Sequence, residues 1–146
     1  MQNADVIPSI VLSAHALARI AAQDAGNDAP SAQWRALSIL ERQGAMRLGE
    51  LASAARTTQP GMTRLVGTLE QTGLVGRSAD PSDTRATLVS ATDAGRQAII
   101  AWRSQMRETL APRFTDLDDA DWATLHRAAE ILAAHAQETN TRGDAA

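Results

Sequence analysis

Four side chains with hydrogen-bonding heads fall within seven residues: Thr58, Gln59, Thr63 and Arg64. Glutamine can make paired hydrogen bonds to adenine, and arginine to guanine or to a phosphate. A helix starting at Thr58 would gather all four on its N-terminal half. The Thr58 hydroxyl would cap the free amides of the first turn, and Pro60 is tolerated there because those amides lack helical partners. Gly61 would let the backbone come close to a groove floor. Free N–H groups and a partial positive charge at that end suit an approaching phosphate. Met62, Leu65, Val66 and Leu69 form the apolar stripe, leaving Gln59, Pro60, Thr63, Arg64, Gly67 and Gln71 facing outward. An ordinary capped, solvated helix face would use the same residue types, so the flanking elements decide between the readings.

Ahead of Thr57 and Thr58 lies a short predicted helix, residues 48–55, burying Leu48, Leu51 and Ala52. Behind them Gly73 supplies a C-cap, and residues 74–78 and 84–91 read as two strands around the charged tip Asp80-Pro81-Ser82-Asp83-Thr84-Arg85. Thr87, Val89 and Ala91 share one face of the second strand. A helix-turn-helix running into a hairpin is a winged helix, which places its second helix in the major groove of DNA. Arg85 could then enter an adjacent minor groove, whose negative potential favours arginine. Asp83, on the same strand face, could hold the guanidinium; the simpler alternative is a surface ion pair worth under ~1 kcal/mol. Arg77 could touch phosphate or merely solubilise the hairpin.

Composition sets the frame. The 146 residues, 44% apolar and 21% charged, suffice for one domain with a real core. Abundant alanine and leucine favour helix. Absence of cysteine excludes disulfides, thiolate metal sites and thiol redox sensing. No signal-peptide pattern is seen and no apolar run approaches the ~18 residues of a membrane span, so a cytoplasmic location with no membrane partner is expected. The net charge is −3, but between residues 42 and 85 six arginines face four acids, a local +2 that leaves −5 elsewhere. All 14 basic residues are arginine, whose planar fork suits phosphate and guanine.

The remaining segments are helical. Residues 5–24 carry Ile7, Ile10, Ala14, Leu17 and Ala21 at spacings of three and four. Gly26-Asn27-Asp28-Ala29-Pro30 makes a loop, and Ser31 reads as the N-cap of a helix with Trp34, Leu37 and Leu40 inward, closed by Gly44. Thr92 caps a long helix over residues 93–112, and Asp118 and Asp121 can cap a last one carrying Trp122, Leu125, Ala129 and Leu132. The expected division is an N-terminal dimerisation helix (1–30), a winged helix-turn-helix (31–92), C-terminal dimerisation helices (93–138) and a flexible tail (139–146). Overall the chain reads as all-α with a small two-stranded β-wing. Its outer helices need partners for their stripes, and a second copy would supply them while matching a palindromic site.

The chain resembles the MarR family of transcriptional regulators along nearly its whole length. The likeness rests on Gln33-Trp34-Arg35-Ala36-Leu37, Gly49-Glu50-Leu51-Ala52, Thr63-Arg64-Leu65-Val66, and Leu69-Glu70-Gln71-Thr72-Gly73-Leu74-Val75. It continues through Asp80, Asp83, Arg85 and Val89 to Thr92-Asp93-Ala94-Gly95. The resemblance implies a homodimer joined by its first and last helices. It also implies a double-stranded pseudo-palindromic operator, repression, and release by a small aromatic effector. Three departures stand out: Ala91 where the family prefers leucine, Gly61 where a side chain often contacts DNA, and the missing cysteine. His15, Arg19 and Trp34 could hold an aromatic carboxylate; a core tryptophan beside two partly exposed helix residues is the simpler account. His126 and Glu130, and His135 and Glu138, share helical faces without a third ligand, so no metal site is expected. Asp116, Asp118, Asp119 and Asp121 read as helix capping. No cofactor loop or nucleophile turn is found, and an enzyme is not expected. The rivals are a winged-helix interaction module without DNA binding and a metal-dependent sensor.

Overall fold

The computed structural model describes residues 1–26 and 31–136. The elements run α1 (Asn3–Asp24), α2 (Ser31–Gln43), β1 (Met46–Arg47), α3 (Leu48–Ala54), α4 (Gln59–Gln71), β2 (Val75–Asp80), β3 (Asp83–Ala91), α5 (Asp93–Leu110), a 3-10 turn (Ala111–Phe114) and α6 (Asp119–His135). The expected loop residues 27–30, Glu138 and the tail from 139 lie outside the described residues. Met1–Leu110 form one compact unit and the residues from Ala111 a second.

The core of the first unit belongs to the winged helix. Leu37 from α2, Leu51 from α3, Met62, Val66 and Leu69 from α4, Val89 from β3 and Ile99 from α5 are fully enclosed. The stripe read from the sequence is therefore the buried one, with Leu65 half-buried at its margin. The sheet is three-stranded, not two-stranded: β1 adds to β3 through Met46 opposite Val89, giving the order β1-β3-β2. Two residues carry no alternation of their own, so β1 had no sequence signal. Ser31 is the first helical residue of α2 rather than its cap. On β3, Val89 is buried and Ala91 half-buried while Thr87 is exposed, so only part of that face reaches the core.

The end of α4 and the start of α5 are joined tightly. Gly73 adopts φ +77° as the helix stop. The Thr92 hydroxyl donates to the Gly73 carbonyl at 2.6 Å and accepts from Gly95 N–H at 3.1 Å, while Thr92 N–H donates to Leu74 O at 3.1 Å. A Cβ on Gly95 would run into the Leu74 carbonyl, so only glycine fits.

The outer helices are different. α1 buries Ala21 alone, and Ile7, Val11 and Leu12 are exposed. Its 22 residues include a stretch of mean hydropathy 1.3, long and apolar enough to cross a membrane by length and composition. That corrects the expectation of no such run: alanines and scattered polar residues break the visible pattern without lowering the average much. In the second unit, Asp118 and Asp121 form a reciprocal capping box at the start of α6, with bonds of 2.8 and 3.2 Å. α6 buries none of its residues.

Candidate nucleic-acid interface

The turn between α3 and α4 is fixed by its own backbone. Ala55 N–H donates to Leu51 O, Arg56 N–H to Ser53 O and Thr57 N–H to Ala52 O, at 2.9–3.1 Å. The Ala55 carbonyl also accepts from the Thr57 hydroxyl at 3.3 Å and from Arg35 Nη1 at 3.4 Å. Thr58 then leaves the helical region (φ −65°, ψ 151°) and its hydroxyl accepts from Gly61 N–H at 3.2 Å, as a cap should. A Cβ on Gly61 would lie 3.0 Å from the Thr58 hydroxyl and 3.2 Å from the Thr57 methyl. The glycine thus has a local reason, room for the cap, independent of any groove.

Along α4, Gln59, Pro60, Thr63, Arg64 and Gln71 are exposed, while Gly67 is half-buried. The Thr63 hydroxyl donates to Gln59 O at 2.9 Å. Its proton is committed, so it offers outward acceptor lone pairs and a methyl group. One expectation needs correction. Pro60 has no N–H and that of Gly61 is taken by Thr58, so this helix start has fewer free amides for a phosphate than its position promised. Positive charge here must come mainly from side chains.

In the wing, the Asp80 carboxylate organises the tip. It accepts from Ser82 N–H at 2.9 Å and Ser82 Oγ at 2.8 Å on one oxygen, and on the other from Arg47 Nε at 2.9 Å, with Arg47 Nη2 2.8 Å away in the same ion pair. The Ser82 donors first, then Arg47, hold its pKa down at about 2, and Asp80 in turn raises that of Arg47. Asp83 Oδ1 accepts from Arg85 N–H at 3.0 Å and lies 3.5 Å from Arg85 Nε, with the Arg85 side chain 91% exposed. Arg77 donates through Nε to Glu70 at 3.0 Å, tying β2 to the last turn of α4. Sequence reasoning missed Arg47 and Asp80 as a pair. They stand 33 positions apart, and no local spacing rule connects them.

His15, Arg19 and Trp34 do come together, across α1 and α2. With Ala18, Arg35, Ser38 and Trp102 they line a cleft of about 480 Å³. Trp34 stacks on Trp102 of α5 with centroids 5.4 Å apart and planes 8° from parallel. The Trp34 indole N–H is buried without a hydrogen-bond partner among the described residues. Elsewhere, Glu130 pairs with Arg127 and His135 Nδ1 meets Ile131 O, while Glu138 lies outside the described residues.

A capped helix held by a fixed turn, with an arginine-tipped hairpin beside it, defines a winged helix-turn-helix protein. The sequence profile of the MarR family matches residues 30–87. An HTH-type transcriptional regulator of Mycobacterium bovis is 36% identical over 107 residues, 73% of this chain and 75% of that protein. The transcriptional repressor IacR of Pseudomonas putida is 30% identical over 68% of this chain and 60% of its own length. Among solved structures, RV1404 from Mycobacterium tuberculosis superposes with a TM-score of 0.77 at 25% identity, covering 97% of this chain and 99% of the other. A MarR family protein from Bacillus stearothermophilus shares the fold with a TM-score of 0.73 at 21% identity, covering 90% and 93%. The chain belongs to the MarR family of DNA-binding transcriptional regulators, which are not enzymes.

Proposed function

We propose that the chain is a dimeric repressor that reads a pseudo-palindromic operator and is released by a small aromatic anion. One observation carries the DNA half of this reading. Gln59, Thr63 and Arg64 are exposed on the face of α4 opposite the buried Met62, Val66 and Leu69, and an almost fully exposed Arg85 caps the neighbouring wing. Thr57, Thr58, Pro60 and Gly61 shape the helix start, Arg64 reads guanine or phosphate, and Arg85, oriented by Asp83, enters the minor groove. Arg77 acts through Glu70, as a brace between wing and reading helix, rather than as a free phosphate contact. The exposed apolar ridge Ile7, Val11 and Leu12 of α1, together with the stripe of α6, meets the same helices of a second copy. IacR's description as a repressor supports the sign of regulation, and such a protein works in the cytoplasm, where its operator is.

The cleft supports the effector half. Its volume lies within the range of small-molecule sites. The Trp34 and Trp102 rings offer stacking surface, Arg19 and Arg35 offer charge, and the unpaired Trp34 N–H calls for an acceptor. Binding there releases DNA only if the ligand favours a dimer whose reading helices no longer match half-sites.

The test is selection of bound duplex from a random pool by wild type and Arg85→Ala in parallel. A pseudo-palindrome recovered by wild type and weakened in the variant is expected; no enrichment at low salt would sink the reading. Titration of the recovered operator complex with aromatic carboxylates, against Trp34→Phe, then tests the cleft.

A further inference from the structure

Arg56 is the sole residue other than glycine with a positive φ among the described residues, at +51°. That left-handed conformation is strained for a side-chain-bearing residue and comfortable for glycine. It persists because its neighbours fix the turn: the amides of Ala55, Arg56 and Thr57 are all bonded back into α3, and Arg35 from α2 grips the Ala55 carbonyl. A turn so defined would be relieved by glycine, yet it carries arginine. The side chain is exposed, and none of the ion pairs or hydrogen bonds among the described residues engages its guanidinium. Among the arginines of the basic segment, Arg47 and Arg77 are held by Asp80 and Glu70, whereas Arg56 is not so held.

Its position gives the cation a task. Arg56 lies two residues before the cap of α4, at the helix start where Pro60 and Gly61 withhold two of the usual backbone donors. We infer that Arg56 is a further DNA-binding residue: its guanidinium takes a backbone phosphate at the mouth of the reading helix, replacing the amide donors that this helix lacks. The left-handed stop that ends α3 is usually taken by glycine, so the arginine there is a choice of side chain that the backbone alone does not ask for. The contact is to phosphate, so it sets affinity and docking position without selecting a base.

The inference rests on the proposed orientation of α4 toward DNA, and the experiment separates the two. Wild type, Arg56→Gly, Arg56→Ala and Arg56→Lys are compared for thermal unfolding and for binding to the selected operator and an unrelated duplex across a salt series. Arg56→Gly is expected to raise Tm by about 2–4 °C through relief of strain. It should also weaken binding to both duplexes by a similar factor, on the order of three- to tenfold, and flatten the log affinity against log salt slope by about one. Arg56→Ala should bind as weakly without the gain in Tm, and Arg56→Lys should retain most of the affinity. Unchanged affinity and salt slope in Arg56→Gly, with wild type and Arg64→Ala differing as expected, would overturn the role of Arg56 alone. A lysine variant as weak as the glycine one would also overturn it. Failure of wild type to bind any duplex would overturn both readings.

Discussion

The winged-helix body and the outer helices α1 and α6 are built from similar amounts of apolar sequence, yet they end in opposite states. Leu37, Leu51, Met62, Val66 and Leu69 are sealed within one protomer, while Ile7, Leu12, Trp122 and Leu125 stay exposed. The body completes its core alone; the outer helices carry apolar faces that a single chain does not bury. Large apolar side chains left exposed on each of these helices are candidates for association. On the proposed dimer reading, the difference separates residues that specify the protomer from residues that would specify its assembly.

That separation can be broken most forcefully from inside. Leu51→Ala should cost about 2–5 kcal/mol of protomer stability by opening a cavity in a fully enclosed site, read as a lower denaturant midpoint. Next, Thr58→Ala should cost about 1 kcal/mol by removing the cap of α4, and should weaken DNA binding because the helix start frays. The wing offers a pH test. Asp80 has its folded pKa lowered to about 2 from 3.8, so it contributes stability that is complete above the higher value and is lost as pH falls through the lower one. The Tm difference between wild type and Asp80→Asn, present near neutrality, should close over that acid interval. The smallest effect on the fold belongs to the outer helix. Leu12→Gln should change protomer stability by less than about 0.5 kcal/mol, as surface substitutions do. Light scattering should nevertheless show a shift toward monomer, and an unchanged oligomer would refute the division drawn above.

The same division explains what could be read in advance. Local periodicity and capping chemistry located α4 within a residue, because Thr58, Pro60, Met62 and Gly73 each answer to the backbone next to them. The tip residues Asp83 and Arg85 were legible for the same reason, being two apart on one strand. What escaped depends on distance in the chain: β1 exists only because β3 is there to pair with it, and the Arg47–Asp80 clamp joins two elements through a sheet. The cleft was half-legible. His15, Arg19 and Trp34 share a helix or adjacent helices, but Trp102 reaches Trp34 from 68 positions away, and no pattern along the sequence announces a ring stack. Arg56 escaped differently: its charge was counted, but its left-handed backbone angle has no mark in composition.

The joint between Gly73 and Thr92 has a mechanical consequence. One hydroxyl bonds the Gly73 carbonyl just beyond α4 and the Gly95 amide in the first turn of α5, and the missing Cβ of Gly95 lets that turn sit against the Leu74 carbonyl. A joint without play transmits angle. Trp102, on the same helix as that joint, forms one wall of the cleft, so a single helix carries both a cleft wall and the fastening to the end of α4. Were the proposed effector to tilt α5, the Gly73 end of α4 would have to move with it or give up the Thr92 bond.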